Sequence, residues 1–298
     1  MRCQGMPFIV KHPGTCWLTR CRHISQARPI DVLPDDVLLA VFDFCVPSVR
    51  YQDTKGEVEA WQSLVHVCRQ WRNLVFGSPR RLNLRLYCTS KTPAKDTLDV
   101  WPALPLIINS MGDLSGTDMD NVIAALGQSN RVREVSVSHL VDWQLGKVLA
   151  TMQMPFPELT ELRLFSVGET PAIIPDSFLG GSASRLWILS LGSIPFPGLP
   201  KLLPSATHLF DLYLHNIPHS GYITPKAIVA VLSALSSLKS FHLAFRSPQS
   251  RPDRESPSLP PPERSILPAL NDFRFKGVTE YLEELTTRID APHSTKWK

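Results

Sequence analysis

Leu159-Thr160-Glu161-Leu162-Arg163-Leu164 is the stretch that decides the fold, because its spacing returns five more times along the chain. The pattern is L-x-x-L-x-L, with Val or Phe standing in for some leucines. It begins at Val132 (with Val135 and Val137), Leu159, Leu186 (Leu189, Leu191), Leu209 (Leu212, Leu214), Leu238 (Phe241, Leu243) and Leu270 (Phe273, Phe275). Successive starts stand 27, 27, 23, 29 and 32 residues apart, a period at which one supersecondary unit stacks on the next. In a strand, alternate side chains point to opposite faces, so the apolar positions enter a core and the residues between them face outward. The outward set is Glu134, Ser136, Glu161, Arg163, Phe165, Asp211, Tyr213, His215, His242, Asp272, Arg274 and Lys276. Such a mixture of charge and aromatic rings suits protein recognition.

Between the short strands lie stretches with helical character: Asp142 to Met152, Pro225 to Ser236 and Thr279 to Ile289. A strand followed by a helix, repeated in one direction, predicts parallel strands side by side with helices behind them, an α/β solenoid. Earlier segments extend it. Leu82 to Leu86 alternates like a strand, and Asp118 to Leu126 reads as a helix capped by Thr117 or Asp118 and stopped near Gly127. Ser247 to Pro262 holds Pro248, Pro252, Pro257, Pro260, Pro261 and Pro262. It cannot pair as a central strand and reads as an exposed loop. The final residues, Ala291 to Lys298, offer no apolar cap to the last repeat, so its end is expected to be truncated or covered by a partner.

The period and spacing resemble the leucine-rich repeat, and the resemblance implies an irregular version of it over residues 87–298. The family places Asn or Cys three residues after the last leucine. This chain instead has Leu140, Val167, Ile194, Ile217, Arg246 and Val278. An asparagine ladder is therefore absent.

Upstream, Pro34 suits a first helical turn, and Asp35 and Asp36 place negative charge at the positive end of the helix dipole. Val37, Leu38, Val41, Phe42 and Cys45 then repeat at helical spacing up to Pro47. Trp61, Leu64, Cys68, Trp71 and Val75 predict a second helix ended by Gly77 and Pro79. Leu33-Pro34 followed by Leu38 and Phe42, then Trp61, Leu64, the run Val67-Cys68-Arg69-Gln70-Trp71-Arg72, and Ser78-Pro79, is similar to the F-box in its fungal-type form. The resemblance spans residues 31–86, with an insert at Val49 to Glu59. It implies an α-helical module of three helices that docks on the small Skp-type adaptor of a cullin-RING ubiquitin ligase. By that resemblance the adaptor-binding residues are Leu33, Pro34, Leu38, Val41, Phe42, Leu64, Val67, Cys68 and Trp71, with Trp61 and Leu74 assigned mainly to the module's own core.

Two modules of this kind imply a non-enzymatic substrate receptor of an SCF-type ligase. The repeats would hold an unknown target protein through Glu161, Arg163, Phe165, Asp211, Tyr213, His215, His242 and Arg274. The alternative is a repeat scaffold for protein–protein interaction with no ligase role. No nucleophile elbow, zinc-protease helix, phosphate loop or dinucleotide fingerprint is found, so no catalytic residue and no cofactor is expected.

Composition narrows the partners. The formal net charge of +4 is small for 298 residues, and its cations are scattered, which disfavours nucleic acid. No apolar run approaches the roughly 20 residues of a membrane span. Cys3, Cys16, Cys21, Cys45, Cys68 and Cys88 leave the C-terminal two thirds without cysteine. That distribution favours an intracellular, reducing location in cytoplasm or nucleus. Cys16, Cys21 and His23 lack paired metal-ligand spacing. His215 and His219 are separated by a turn at Asn216 and Pro218, and Asp118 and Asp120 serve a helix start, so no metal site is expected. Residues 1–30 carry five Lys or Arg and no acid. They read as a flexible extension rather than a presequence, since Pro7, Pro13 and Gly14 interrupt any helix.

Overall fold

A helix begins where Pro34 and the two aspartates put it: α1 spans Asp35–Cys45, with the Val37 and Leu38 amides both bonded to the Pro34 carbonyl. The computed structural model describes residues 33–45, 60–90, 98–99, 101, 103–169, 171–247, 264–291 and 296–297. The N-terminal extension and all of the 247–262 loop except Ser247 lie outside the described residues. The chain divides into two compact units, one ending at Gly77 and one starting at Ser78. The boundary expected after Leu86 is thus moved upstream, because Leu82, Leu84 and Leu86 are buried in the second unit.

In the first unit the single helix expected over Trp61 to Val75 is two, α2 (Ala60–Val65) and α3 (Arg69–Gly77). Side chains make the break. The Arg72 Nε donates to the Val65 carbonyl at 2.9 Å, closing the end of α2. The Cys68 Sγ accepts the Trp71 amide at 3.5 Å, in the position of an N-cap for α3. The helices pack around Leu38, Leu39, Phe42, Trp61, Leu64, Val65 and Val75, all buried. Phe42 meets Trp71 at 4.7 Å between ring centroids, and Trp61 meets Phe76 edge-on at 6.2 Å.

The second unit is an α/β fold built on a parallel sheet. Its strands are β1 (Leu86–Cys88), β2 (Leu106–Ser110), β3 (Val132–Leu140), β4 (Glu161–Ser166), β5 (Ile188–Gly192), β6 (Asp211–Ile217), β7 (Ser240–Phe245), β8 (Ser265–Ile266), β9 (Asp272–Lys276), β10 (Ile289–Asp290) and β11 (Lys296–Trp297). Nine of them form one sheet in the order β1-β2-β3-β4-β5-β6-β7-β9-β11, while β8 and β10 pair separately. Sequential parallel order follows from the repeat, since each crossover returns the chain to the same edge. β2 reads Leu-Ile-Ile, apolar on both faces rather than alternating, so it carries no alternation signal. β11 adds a strand beyond β9, where the sequence suggested an uncovered end.

Register aligns the leucines. Val135, Leu162, Leu189, Leu212, Phe241 and Phe273 form one row across six strands, and Val137, Leu164, Leu191, Leu214, Leu243 and Phe275 form the next. Together these rows make the floor of the core. The repeat also begins earlier than the L-x-x-L-x-L pattern. Phe156, Ala183, Ala206, Leu235 and Leu267 are buried three residues before Leu159, Leu186, Leu209, Leu238 and Leu270. Each of their carbonyls accepts the amide of the leucine that follows, a turn that aims the chain into the strand.

The missing asparagine ladder has a structural substitute. His139, Ser193 and Asn216 adopt φ of 58°, 57° and 54°, and the residue after each, Leu140, Ile194 and Ile217, is buried. In β3 and β6 the pairing register shifts at this point. One added residue flips the next side chain inward. β4 and β7 have no such residue and bury Ser166 and Phe245 by plain alternation. The Ser166 hydroxyl donates to the Leu140 carbonyl at 3.0 Å, linking adjacent repeats as a ladder residue would.

Crossovers carry α4 (Gly116–Leu126), α5 (Asp142–Thr151), the single turn α6 (Leu199–Leu202), α7 (Pro225–Ser233) and α8 (Thr279–Arg288). The cap of α4 is Ser115 rather than Thr117 or Asp118. Its hydroxyl accepts the Asp118 amide at 3.3 Å, and the Asp118 carboxylate accepts the Ser115 amide at 3.1 Å, a reciprocal box. The crossovers after β4 and β5 hold only short turns, and Pro171, Pro175, Pro195, Pro197, Pro200 and Pro204 account for that.

Tyr281 of α8 shows how a crossover is fixed to its neighbour. Its hydroxyl donates to the Ile223 carbonyl at 2.9 Å, and burial pushes its ionisation far above the ordinary phenol range. The unfolded phenol loses its proton near pH 10, while the folded one keeps it. Stability is therefore expected to fall as pH rises above about 10. Tyr281→Phe should cost roughly 0.5–1.5 kcal/mol at neutral pH and flatten that alkaline limb, read by urea denaturation at pH 8 and pH 11.

Candidate functional site

Two surfaces carry the chemistry, one on each unit. On α1 the apolar residues divide into two stripes. Leu38, Leu39 and Phe42 face the core, while Val37, Val41 and Phe44 face outward at 40%, 45% and 91% exposure, continuing from Leu33 at 37%. Pro34 is exposed beside them. An amphipathic surface helix normally turns a single apolar stripe to the core. Here the outer stripe has water for a neighbour among the described residues.

The adaptor-binding set inferred from resemblance is accordingly divided. Leu33, Pro34, Val41 and Val67 are exposed. Leu38, Phe42 and Leu64 are buried, so in this conformation their side chains hold the helices together and do not reach a partner. Cys68 and Trp71 are half-buried, Cys68 capping α3 and Trp71 packed at a tilt against Phe42. Val37 and Phe44 belong to the outer stripe and were absent from the predicted contact set. Their signal was the i, i+4, i+7 step of Val37, Val41 and Phe44.

All eight predicted target-binding residues lie on the outward face of the sheet. Glu161, Asp211 and Asp272 stand at the starts of β4, β6 and β9, and Arg163, Tyr213, His242 and Arg274 form the row after them. Phe165 and His215 come one outward position further on, flanking Gly192. A Cβ at Gly192 would lie 2.3 Å from the Phe165 Cδ1, so the ring lies over the glycine and fills its place.

The acids are already engaged. Arg85 reaches Glu134 at 2.9 Å and Arg163 reaches Glu161 at 2.5 Å. Asp272 meets the His242 Nε2 at 3.1 Å and the Arg274 Nη2 at 3.1 Å. Burial pushes the Asp272 carboxyl up, but the hydrogen bonds from His242 and Arg274 outweigh it and hold the group below its ordinary value. Burial raises Glu134, with Arg85 opposing. Tyr213 stacks on His215 at 5.9 Å and meets His242 edge-on at 4.6 Å. Burial and the neighbouring His242 lower the His215 ionisation. His219 sits in the turn after β6 and is exposed, away from this ring cluster.

At the strand-entry edge, Trp187 is half exposed and meets Phe210 at 5.9 Å, with the Lys239 ammonium 4.8 Å from the Phe210 centroid. Each precedes a strand, a position that alternation within the strand does not score.

Cysteine reactivity separates the two units. Burial pushes the Cys88 thiol up to about 11, while Cys45 is exposed. At pH 8 iodoacetamide is expected to modify Cys45 in the native protein and to spare Cys88 until the chain is unfolded, as read by peptide mass spectrometry.

Among the described residues no helix is long and apolar enough to cross a membrane. No protein-family model matches the chain, and no curated protein matches it. The fold and its surfaces define an α/β protein with a parallel sheet, an outward face of charged and aromatic residues, and a separate helical unit bearing an apolar stripe.

Proposed function

We propose that the chain is the substrate-recognition subunit of an SCF-type cullin-RING ligase. The helical unit would act as an F-box docking on a Skp-type adaptor, and the sheet unit as a leucine-rich-repeat-like solenoid that holds a target protein. The observation that carries this reading is the outer stripe of Leu33, Val37, Val41 and Phe44, with Phe44 at 91% exposure. Large apolar side chains held in water at this spacing, one of them the Phe44 ring, suit helix-in-groove recognition. The chain would contribute proximity between target and ligase, not bond making.

Burial of Phe42 and Trp61 favours a second reading, a repeat scaffold whose helical unit binds no adaptor. Co-expression with the adaptor separates the two. Under the leading reading the wild-type chain co-purifies with the adaptor, and Val41→Asp with Phe44→Asp loses it at unchanged melting temperature. Failure of the wild type to retain the adaptor would leave the scaffold reading.

A further inference from the structure

The charge pattern on the outward face points to an acidic target segment, and we infer that a carboxylate of that segment seats over Ala244 between β6 and β9. This rests on the reading that the outward face holds a target, and it specifies the chemistry held. Ala244 lies directly across from Lys276 in the β7–β9 register. On its other side, His215 follows the Leu214–Leu243 pair on β6. The alanine makes a low floor between the Lys276 side chain and the His215 ring, on strands roughly 10 Å apart at two strand spacings. Behind it stand His242 and Arg274, in register with Tyr213. Arg246 is exposed just past the end of β7.

The carboxylates of these strands are at the opposite end. Asp272 is four residues before Lys276 and already bound by His242 and Arg274. Asp211 is four residues before His215 and hydrogen-bonds with Tyr213. Four strand residues place each acid about 13 Å away along its strand. Glu280, Glu283 and Glu284 belong to α8, in the crossover layer. Among the described residues, neither Lys276 nor Arg246 has a carboxylate partner. The strand starts are therefore neutralised internally, and the ends of β7 and β9 are left with the cations Arg246 and Lys276 beside the stacked Tyr213 and His215 rings. An anion from a partner would complete the pairing, and charge complementarity of this kind sets register and rejects basic competitors.

Fluorescence anisotropy on the full chain tests the inference with three labelled peptides of one length: a Glu- and Tyr-containing peptide, its Gln counterpart, and a counterpart with phosphoserine in place of Glu. The expected result is that the Glu peptide binds at least tenfold more tightly than the Gln peptide. Lys276→Glu should remove that preference, Lys276→Gln should reduce it, and 0.3 M salt should weaken it. A tenfold preference for the phosphoserine peptide over the Glu peptide would overturn the carboxylate assignment. Circular dichroism verifies that the exposed substitutions leave the fold intact. Equal binding of the Gln peptide, or an undiminished preference in Lys276→Glu, would overturn the charge assignment. If Ala244→Trp then blocked that neutral binding, the target-holding reading would stand without it. Absence of binding by any of the peptides would also overturn the inference, leaving adaptor docking to its own measurement.

Discussion

Phe42→Ala is expected to destabilise the helical unit by about 3–5 kcal/mol, the range for emptying a buried aromatic site. Phe42 is fully buried and packs against Trp71 with the rings tilted at 58° and a centroid distance of 4.7 Å. It joins α1 to α3, so its loss removes contacts on two helices together. At 0.05–0.15 kcal/mol per residue, a unit ending at Gly77 holds roughly 4–12 kcal/mol even if every residue contributes. The substitution therefore removes a large share of what there is. Phe44→Ala, two residues away and exposed, should stay within about 0.5 kcal/mol. Urea denaturation measures both, followed by tryptophan fluorescence, in which Trp61 and Trp71 of this unit are two of the seven tryptophans. A cost at Phe44 equal to that at Phe42 would mean that the outer stripe is packed inside the protein.

Phe241→Ala should cost the sheet unit a similar 3–5 kcal/mol. Phe241 is fully buried in β7, in the row between Leu212 and Phe273, and stacks on Phe273 at 5.6 Å. The wider side chain at this point replaces the leucine of earlier repeats, and its partner Phe273 is matched to it in size. Phe241→Leu restores the repeat consensus but leaves a gap against Phe273, and should recover about half of the loss. Far-UV circular dichroism in urea reads the difference, and equal stabilities for the Ala and Leu variants would show that the site collapses without regard to shape.

The strands were legible because burial on one face forces apolar residues to recur at alternate positions, and the outward set followed from the same alternation. The turn residue before each strand was not legible. Phe156, Ala183, Ala206, Leu235 and Leu267 share burial but not size, and two alanines give little signal. What replaces the absent asparagine ladder at the strand ends was not legible, because His139, Ser193 and Asn216 take positive φ without the glycine that usually announces it. The break between α2 and α3 carries neither Pro nor Gly. It depends on Arg72 reaching back seven residues to Val65, a contact no local pattern records. On α1 the docking set could not be separated from the core, since both stripes are apolar and periodicity alone does not say which one faces in.

Backbone amide exchange of the chain with and without the Skp-type adaptor distinguishes a docked outer stripe from a bare one. Slowed exchange is expected over residues 33–45 and around Val67, where the outer stripe would be covered, with no change in strands β3 to β7. Unchanged exchange at 33–45 at saturating adaptor, or protection confined to the sheet, would contradict docking.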